Sequence, residues 1–475
     1  MNKQTQNKSC WKREKPDGFS LSFLLPLLFV FITVNSFGQY NHHRIYENLL
    51  NGRFSERLSN AEIIEETNLQ NKTSAASVIA ITFEAFFSGN EAKIEKAIDI
   101  TDDFLDLSEE IPYNLIIGHT SEAILKSMHG NYFSAMISFY NAYRKIKAYE
   151  KNTQCVEPVI FELNKLYNFT FSKIPDNYTM ILNVAGISAI EIDTNKICYQ
   201  KNQQLISNTF ATIYQLFAKP KSINISKNPG EMSKLIAGIY YLGKQNPDSA
   251  LLYLNQMDTL RSNLVVLNYY KGLAHLNKAQ YDLAEWYFDK FLFLQQSGRY
   301  IKATLLRKKW IAIIKGRPTQ GYTEAILERG SDIAYLDKQA KKEAKKEYNT
   351  QLLKARLLYD GGMFKESLNV IEQINIDNLN PLDITNLLYR KARNLQGLKL
   401  YHEAISQYNL LQLQPNRGEY FHKKAMLETG KIFIKLNEPQ LAIEHLVNVK
   451  EIQSDTFNEA FEQEAEMLIK DIKNQ

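Results

Sequence analysis

Two stretches of this chain repeat one another at a fixed interval, and that constrains the fold more than any other feature. GIYYLGKQNPDSALLYLNQM, from Gly238 to Met257, and GLAHLNKAQYDLAEWYFDKF, from Gly272 to Phe291, lie 34 residues apart. In each, a Gly is followed twelve positions later by Ala250 or Ala284, and four further on by Leu254 or Phe288. A small residue at a helix crossing lets two backbones approach, and a large apolar residue one turn away locks the next element in place. A unit this short cannot bury its apolar face alone, so repetition at this period predicts a stacked array rather than one closed core.

The same spacing of small and large residues recurs. SEAILKSMHGNYFSAMISFYNA (121–142) supplies Ala123, Tyr132, Ala135, Phe139 and Ala142; LKARLLYDGGMFKESLNVIEQI (353–374) supplies Ala355, Phe364, Ser367 and Ile371. RKARNLQGLKLYHEAISQYNLL (390–411) carries Ala392, Tyr401, Ala404 and Tyr408, and LETGKIFIKLNEPQLAIEHLVNV (427–449) carries Gly430, Ala442 and Leu446. This pattern resembles the tetratricopeptide repeat, which asks for small residues at positions 8 and 20, an aromatic near 17 and a large apolar residue at 24. The resemblance implies an all-α, right-handed superhelix, an α-α solenoid of stacked helical hairpins. It covers about two thirds of the chain beyond residue 38 and is best between 231 and 475. Weaker units centre on Ala97 and Ala325, where small-residue spacings of 38, 41 and 42 imply longer helices or loops. Residues 39–149 are expected to form amino-terminal hairpins, and 150–230 a divergent helical segment.

Composition agrees. With 44% hydrophobic and 23% charged residues, but only 20 Gly and 12 Pro in 475 residues, long helices with short turns fit better than a many-turned β-sandwich. Residues 1–38 read as a secretory signal. Basic residues Lys8 to Lys15 precede an apolar run, Phe19 to Val34, and small residues precede Gln39. The run is about 16 residues long and contains Pro26, short of the roughly 20 a membrane span needs. An exported protein, periplasmic or secreted, is expected; the alternative is an uncleaved inner-membrane anchor. No later stretch reaches membrane-spanning length. The net charge of +5 falls to +2 once the signal's five Lys/Arg and two acids are removed, which disfavours nucleic acid as a partner.

No catalytic constellation is present: GxSxG, HExxH, GxxxxGK[ST] and GxGxxG are all missing. The chain is read as non-enzymatic, with no cofactor and no metal. Its histidines never share i, i+4 spacing, and it has no CxxC. Cys155 and Cys198 could bridge in an oxidising compartment or stay as buried thiols. The run DKQAKKEAKKEY, Asp337 to Tyr348, reads as a solvated helix.

In tetratricopeptide proteins the first helix of each hairpin lines the concave face. That resemblance places Arg356, Arg393 and Lys431 at successive position-9 sites, with Tyr359 and Tyr389 beside them. Such a ladder could grip an acidic or carboxyl-terminated peptide, and the bland reading of the same cations is an ordinary exposed helix face. Family members that clamp a peptide carboxylate carry Asn there, so their mechanism does not carry over. In the middle units the same positions are Leu235, Ile239, Tyr269 and Leu273, either an apolar groove or surfaces covered by neighbouring helices. The expected function is a cell-envelope scaffold that binds a protein or peptide partner. The alternatives are a glycan- or nutrient-capturing protein and the ligand-sensing subunit of a signalling system. Oligomeric state is left open.

Overall fold

The computed structural model describes residues 45–172 and 229–474, short interruptions apart, with positions 192, 212 and 225 between them. The expected signal (residues 1–38), Cys198 and most of the expected divergent segment lie outside the described residues. Nineteen α-helices and two short 3₁₀ turns make up the regular structure among those residues. The amino-terminal group comprises α1 (Lys72–Ser88), α2 (Glu91–Asp106), α3 (Pro112–Met128), α4 (Tyr132–Asn152) and α5 (Pro158–Ser172). Then follow α6 (Glu231–Gly243), α7 (Pro247–Leu254), α8 (Val266–Asn277), α9 (Tyr281–Leu294) and α10 (Ile301–Ile314). Next come α11 (Tyr322–Glu328), α12 (Tyr335–Glu343), α13 (Thr350–Asp360) and α14 (Phe364–Glu372). The last five are α15 (Pro381–Gly397), α16 (Tyr401–Gln412), α17 (Glu419–Lys435), α18 (Pro439–Val447) and α19 (Asn458–Lys473). Consecutive helices pair as hairpins (α3–α4, α6–α7, α8–α9, α13–α14, α15–α16, α17–α18), and from α6 onward successive units pack on one another, an all-α solenoid.

The repeat begins in the turn. Gly130, Gln245, Ala279, Gly316, Gly362, Lys399 and Asn437 all adopt left-handed backbone between the two helices of a pair. In every case the following N–H donates to the carbonyl five residues back at 2.8–2.9 Å, as Asn246 does to Tyr241 and Gln280 to His275. This closes the first helix by satisfying one of its orphan carbonyls. Asn131 and Asn246 then cap the second helix, accepting from Ser134 N at 3.3 Å and Ser249 N at 3.0 Å.

Five positions after the left-handed residue comes the small one: Ala135, Ala250, Ala284, Ser367, Ala404 or Ala442, each fully buried. The large residue four further on rests on the first helix, where a side chain would collide with it. A Cβ at Gly238 would lie 2.4 Å from Leu254, at Gly272 2.5 Å from Phe288, and at Gly430 2.7 Å from Leu446. Where the crossing residue is Ser367, its hydroxyl donates to Ala355 O at 2.8 Å, so the polar group is satisfied at the point of closest approach.

The irregular spacing around Ala325 has a structural cause. Here the residue five past the turn is Gly321, exposed and itself left-handed; helix α11 starts late and buries Ile326. The unit is completed by α12, which packs on α10. Two lysines bind the pieces: Lys302 Nζ donates to the terminal carbonyls of α11, Ile326 and Leu327, at 3.1 Å, and Lys309 Nζ to Ala344 O at 2.8 Å. The charged run 337–348 is only partly solvated. Asp337 is wholly buried, accepting from Tyr300 N at 2.6 Å and Ala303 N at 2.9 Å, and so caps α10 from a distance. Burial pushes its carboxyl up to about 6 against those two donors.

Long-range contacts draw the array together. Ser88 O accepts from Arg299 N at 3.1 Å and Gln295 Nε2 at 3.0 Å, while the Arg299 guanidinium lies over Phe86, 4.5 Å from its centroid. The amino-terminal hairpins thereby meet the α9–α10 turn. Further along, three hairpin turns converge: Gln245 Nε2 donates to Tyr359 O at 2.6 Å and Asn277 Nδ2 to Asp360 O at 3.3 Å. Gly361 is required there, because a Cβ would fall 1.7 Å from Asn277 O, a backbone atom that cannot swing away.

Opposite signs are expected at two turns. Ala279→Gly relieves a left-handed alanine and should stabilise by about 1 kcal/mol. Gly361→Ala forces backbone apart and should cost about 2 kcal/mol or more. Urea unfolding of both variants checks this; a neutral Gly361→Ala would mean that the three turns do not meet.

Candidate functional site

The first helices of successive units pack along one inner face, α8 and α10 on α13, α13 on α15, and α15 on α17. Arg356 projects from α13, Arg393 from α15 and Lys431 from α17, and each meets a carboxylate of its own or a neighbouring helix. Arg356 stands 3.8 Å from both Glu343 and Asp360. Arg393 bonds Glu428, and Lys431 reaches Glu428 at 3.0 Å and Glu464 at 2.7 Å. The three cations therefore lie on one face, spaced by acids that the sequence reading did not single out.

Glu428 is the centre of the carboxy-terminal half. It is 4% exposed and also accepts from Lys424 at 3.1 Å and from Gln396 Nε2 at 2.9 Å, whose amide oxygen in turn accepts from Tyr408 OH at 2.8 Å. Burial raises its carboxyl, but Arg393, Lys431 and Lys424 outweigh that and hold it well below the usual range. A buried anion surrounded this way is costly to unpair.

The tyrosines of the reading divide. Tyr359 is partly exposed beneath the Arg393 guanidinium, 5.3 Å from its centroid. Tyr389 is 9% exposed, packed against Tyr408, Tyr420 and Phe421, with ring centroids 5.2–6.4 Å apart. Tyr420 carries the aromatic surface on to Phe457 and Phe461. In the middle units Leu235 and Tyr269 are buried, Tyr269 under Tyr300 at 4.7 Å, while Ile239 and Leu273 are partly exposed.

Three further residues extend the face toward α10. Trp310, 3% exposed, has the Arg307 guanidinium 4.8 Å and the Arg356 guanidinium 4.5 Å from its ring centroid. Arg390, one residue past Tyr389, is half-buried and lies within electrostatic reach of Arg356, Asp360 and Tyr420. Burial, reinforced by Arg356, pushes Arg390 down to about 10. Arg390 and Trp310 carried a sequence signal only in hindsight, since they occupy first-helix positions without sharing the position-9 register.

Cys155 is disulfide-bonded, with the other sulfur outside the described residues. Among the described residues no group of three or more His, Cys, Asp or Glu is arranged to hold a metal, and no helix is long and apolar enough to cross a membrane.

Left-handed turns, five-residue offset, small-on-large crossings and an inner face built from first helices define an α-solenoid of tetratricopeptide-like hairpins. No family model and no curated protein matches the chain. Solved structures to which it is similar include yeast Tom70, at 13% identity over 88% of this chain and 96% of that one, with a TM-score of 0.23. The APC/C hetero-tetramer Cut9–Hcn1 is another, at 13% identity over 95% and 98% of the two chains, with a TM-score of 0.21.

Glu428→Gln should destabilise the chain by about 2–3 kcal/mol at pH 7, less than a wholly buried pair because Arg393 and Lys431 keep some solvent. Glu428 has a depressed folded pKa, so its contribution is present above about 4.5 and disappears as pH falls. Urea titrations from pH 7 to pH 3 should therefore show the gap between parent and variant closing. A constant gap would mean that the carboxylate charge does not stabilise the fold.

Proposed function

We propose that this protein is a non-enzymatic scaffold that binds a protein or peptide partner along its inner face. The observation that carries the proposal is the continuity of that face. Arg356 lies over Trp310 and Arg393 over Tyr359, Tyr420 is within electrostatic reach of both arginines, and these five residues from four first helices are all partly exposed except Trp310. Rings and guanidiniums held by packing and ion pairs lose little freedom when a chain is laid across them, which is the condition for useful affinity. Flat rings alternating with charge suit an extended segment with acidic and apolar residues.

Panning a displayed random-peptide library on the purified chain tests this reading. Peptides should be recovered, and Tyr359→Ala with Tyr420→Ala should weaken them at least tenfold, while Trp286→Ala on an exposed ring outside this series should leave them unchanged. Equal binding by all three proteins would remove the inner face as the site. Binding on a glycan array with no peptide recovered would favour the carbohydrate-capturing alternative.

We also place the protein in the cell envelope, on the strength of the basic and apolar segments before Gln39. Amino-terminal sequencing of the exported chain should begin at Gln39; a product that keeps residues 1–38 in the membrane fraction would support the anchored alternative.

A further inference from the structure

Within the inner face, two guanidiniums differ from the rest. Arg356, Arg393, Lys424 and Lys431 each have a carboxylate within 4.0 Å, whereas Arg307 and Arg390 have none among the described residues. Arg307 makes one long bond, from Nη1 to Ala303 O at 3.4 Å, and the Nε atoms of both Arg307 and Arg390 are buried without an acceptor. Those Nε atoms are closed to solvent, so the donors open to an oxyanion are the Nη groups, which carry no carboxylate and, at Arg307, only that one long bond.

The two come from different helices, α10 and α15, and Arg356 on α13 stands between them. Arg307 and Arg356 share the Trp310 ring, and both act, with Arg390, on the Asp360 carboxylate. That carboxylate cannot satisfy all three. It lies 3.8 Å from Arg356 and is not within ion-pair distance of Arg307 or Arg390. Solvent has access, since the Asp360 side chain is 44% exposed and that of Arg356 25%.

We propose that Arg307, Arg356 and Arg390 form a receptor for a tetrahedral oxyanion of the phosphate monoester class. Three guanidinium forks arriving from three helices need acceptor oxygens in three directions. A phosphate presents them; a planar carboxylate presents two, in one plane. The surplus positive charge at Arg307 and Arg390 matches the −1.5 to −2 that a phosphate monoester carries near pH 7, about the charge needed. Trp310 holds the first two arginines in place through its ring face. The inference deepens the inner-face reading and rests on it for the carrier of the phosphate, either a phosphorylated side chain of the bound segment or a free small phosphate.

Calorimetric titration of the purified chain with inorganic phosphate, alongside succinate, is the direct test. Saturable phosphate binding is expected, at least tenfold tighter than succinate. Arg307→Gln and Arg390→Gln should each weaken it at least tenfold, and Arg317→Gln, whose partner is Glu285 elsewhere, should leave it unchanged. Arg390→Gln removes a cation that burial and Arg356 already disfavour, so its urea midpoint should equal or exceed the parent's. A phosphoserine peptide and its unphosphorylated twin then separate the two carriers: preference for the former points to a modified segment, equal weak binding of both beside good phosphate binding to a free metabolite. Absence of saturable phosphate binding, preference for succinate, or unchanged binding in Arg307→Gln and Arg390→Gln would overturn the site. Peptides recovered by panning that bind without any phosphate effect would leave the scaffold reading standing and remove this one.

Discussion

Everything in this array depends on how closely the two helices of a hairpin approach. At Gly272 the space a Cβ would need is held by Phe288, and at Gly238 and Gly430 by Leu254 and Leu446. The large side chain is thus both the plug of its own hairpin and part of the surface on which the next hairpin stacks. Closing the first helix with a left-handed residue sets how far along the second helix the crossing occurs, so turn and crossing are one device. Where the offset is broken, after Gly316, the pair loses its plug, and the chain recruits a third helix and two buried lysines to finish the unit.

That same closeness shapes the inner face. First helices stacked side by side bring like-charged positions of successive units together, and bare cations in register would repel. The fold meets this with carboxylates from outside the register: Glu343 from α12, Asp360 at the end of α13, Glu428 and Glu464 from α17 and α19. The result is a compensated lattice in which most cations are held fixed and two, Arg307 and Arg390, are left over. Fixed charges position a ligand without reorganising, and surplus charges give it something to neutralise.

Repeat identity was legible because its physics is local. A small residue twelve positions past a Gly or Ala, with a large one four beyond, survives in the sequence whatever the neighbours are, and Ala135, Ala250, Ala284, Ser367, Ala404 and Ala442 are all buried where that spacing puts them. The face carrying Arg356, Arg393 and Lys431 was legible for the same reason, since position within a hairpin is set by turn and crossing. Their partners were not. Glu343, Glu464 and Arg307 lie outside the position-9 register, and only the stacking of separate units brings them near. The solvated reading of 337–348 missed Asp337 because its N–H donors, Tyr300 and Ala303, are more than thirty residues away.

By itself, then, the sequence determined the unit: helix, left-handed turn, helix, crossing at a small residue, because those choices involve atoms within one or two turns of each other. It also carried the inner register of basic residues. Tertiary structure decided how units sit on one another, from the amino-terminal hairpins against the α9–α10 turn to the three turns meeting at Gly361. It decided, too, which arginines have a carboxylate within reach and which, among the described residues, do not. Those outcomes depend on distances between residues far apart in the chain, which periodicity does not encode.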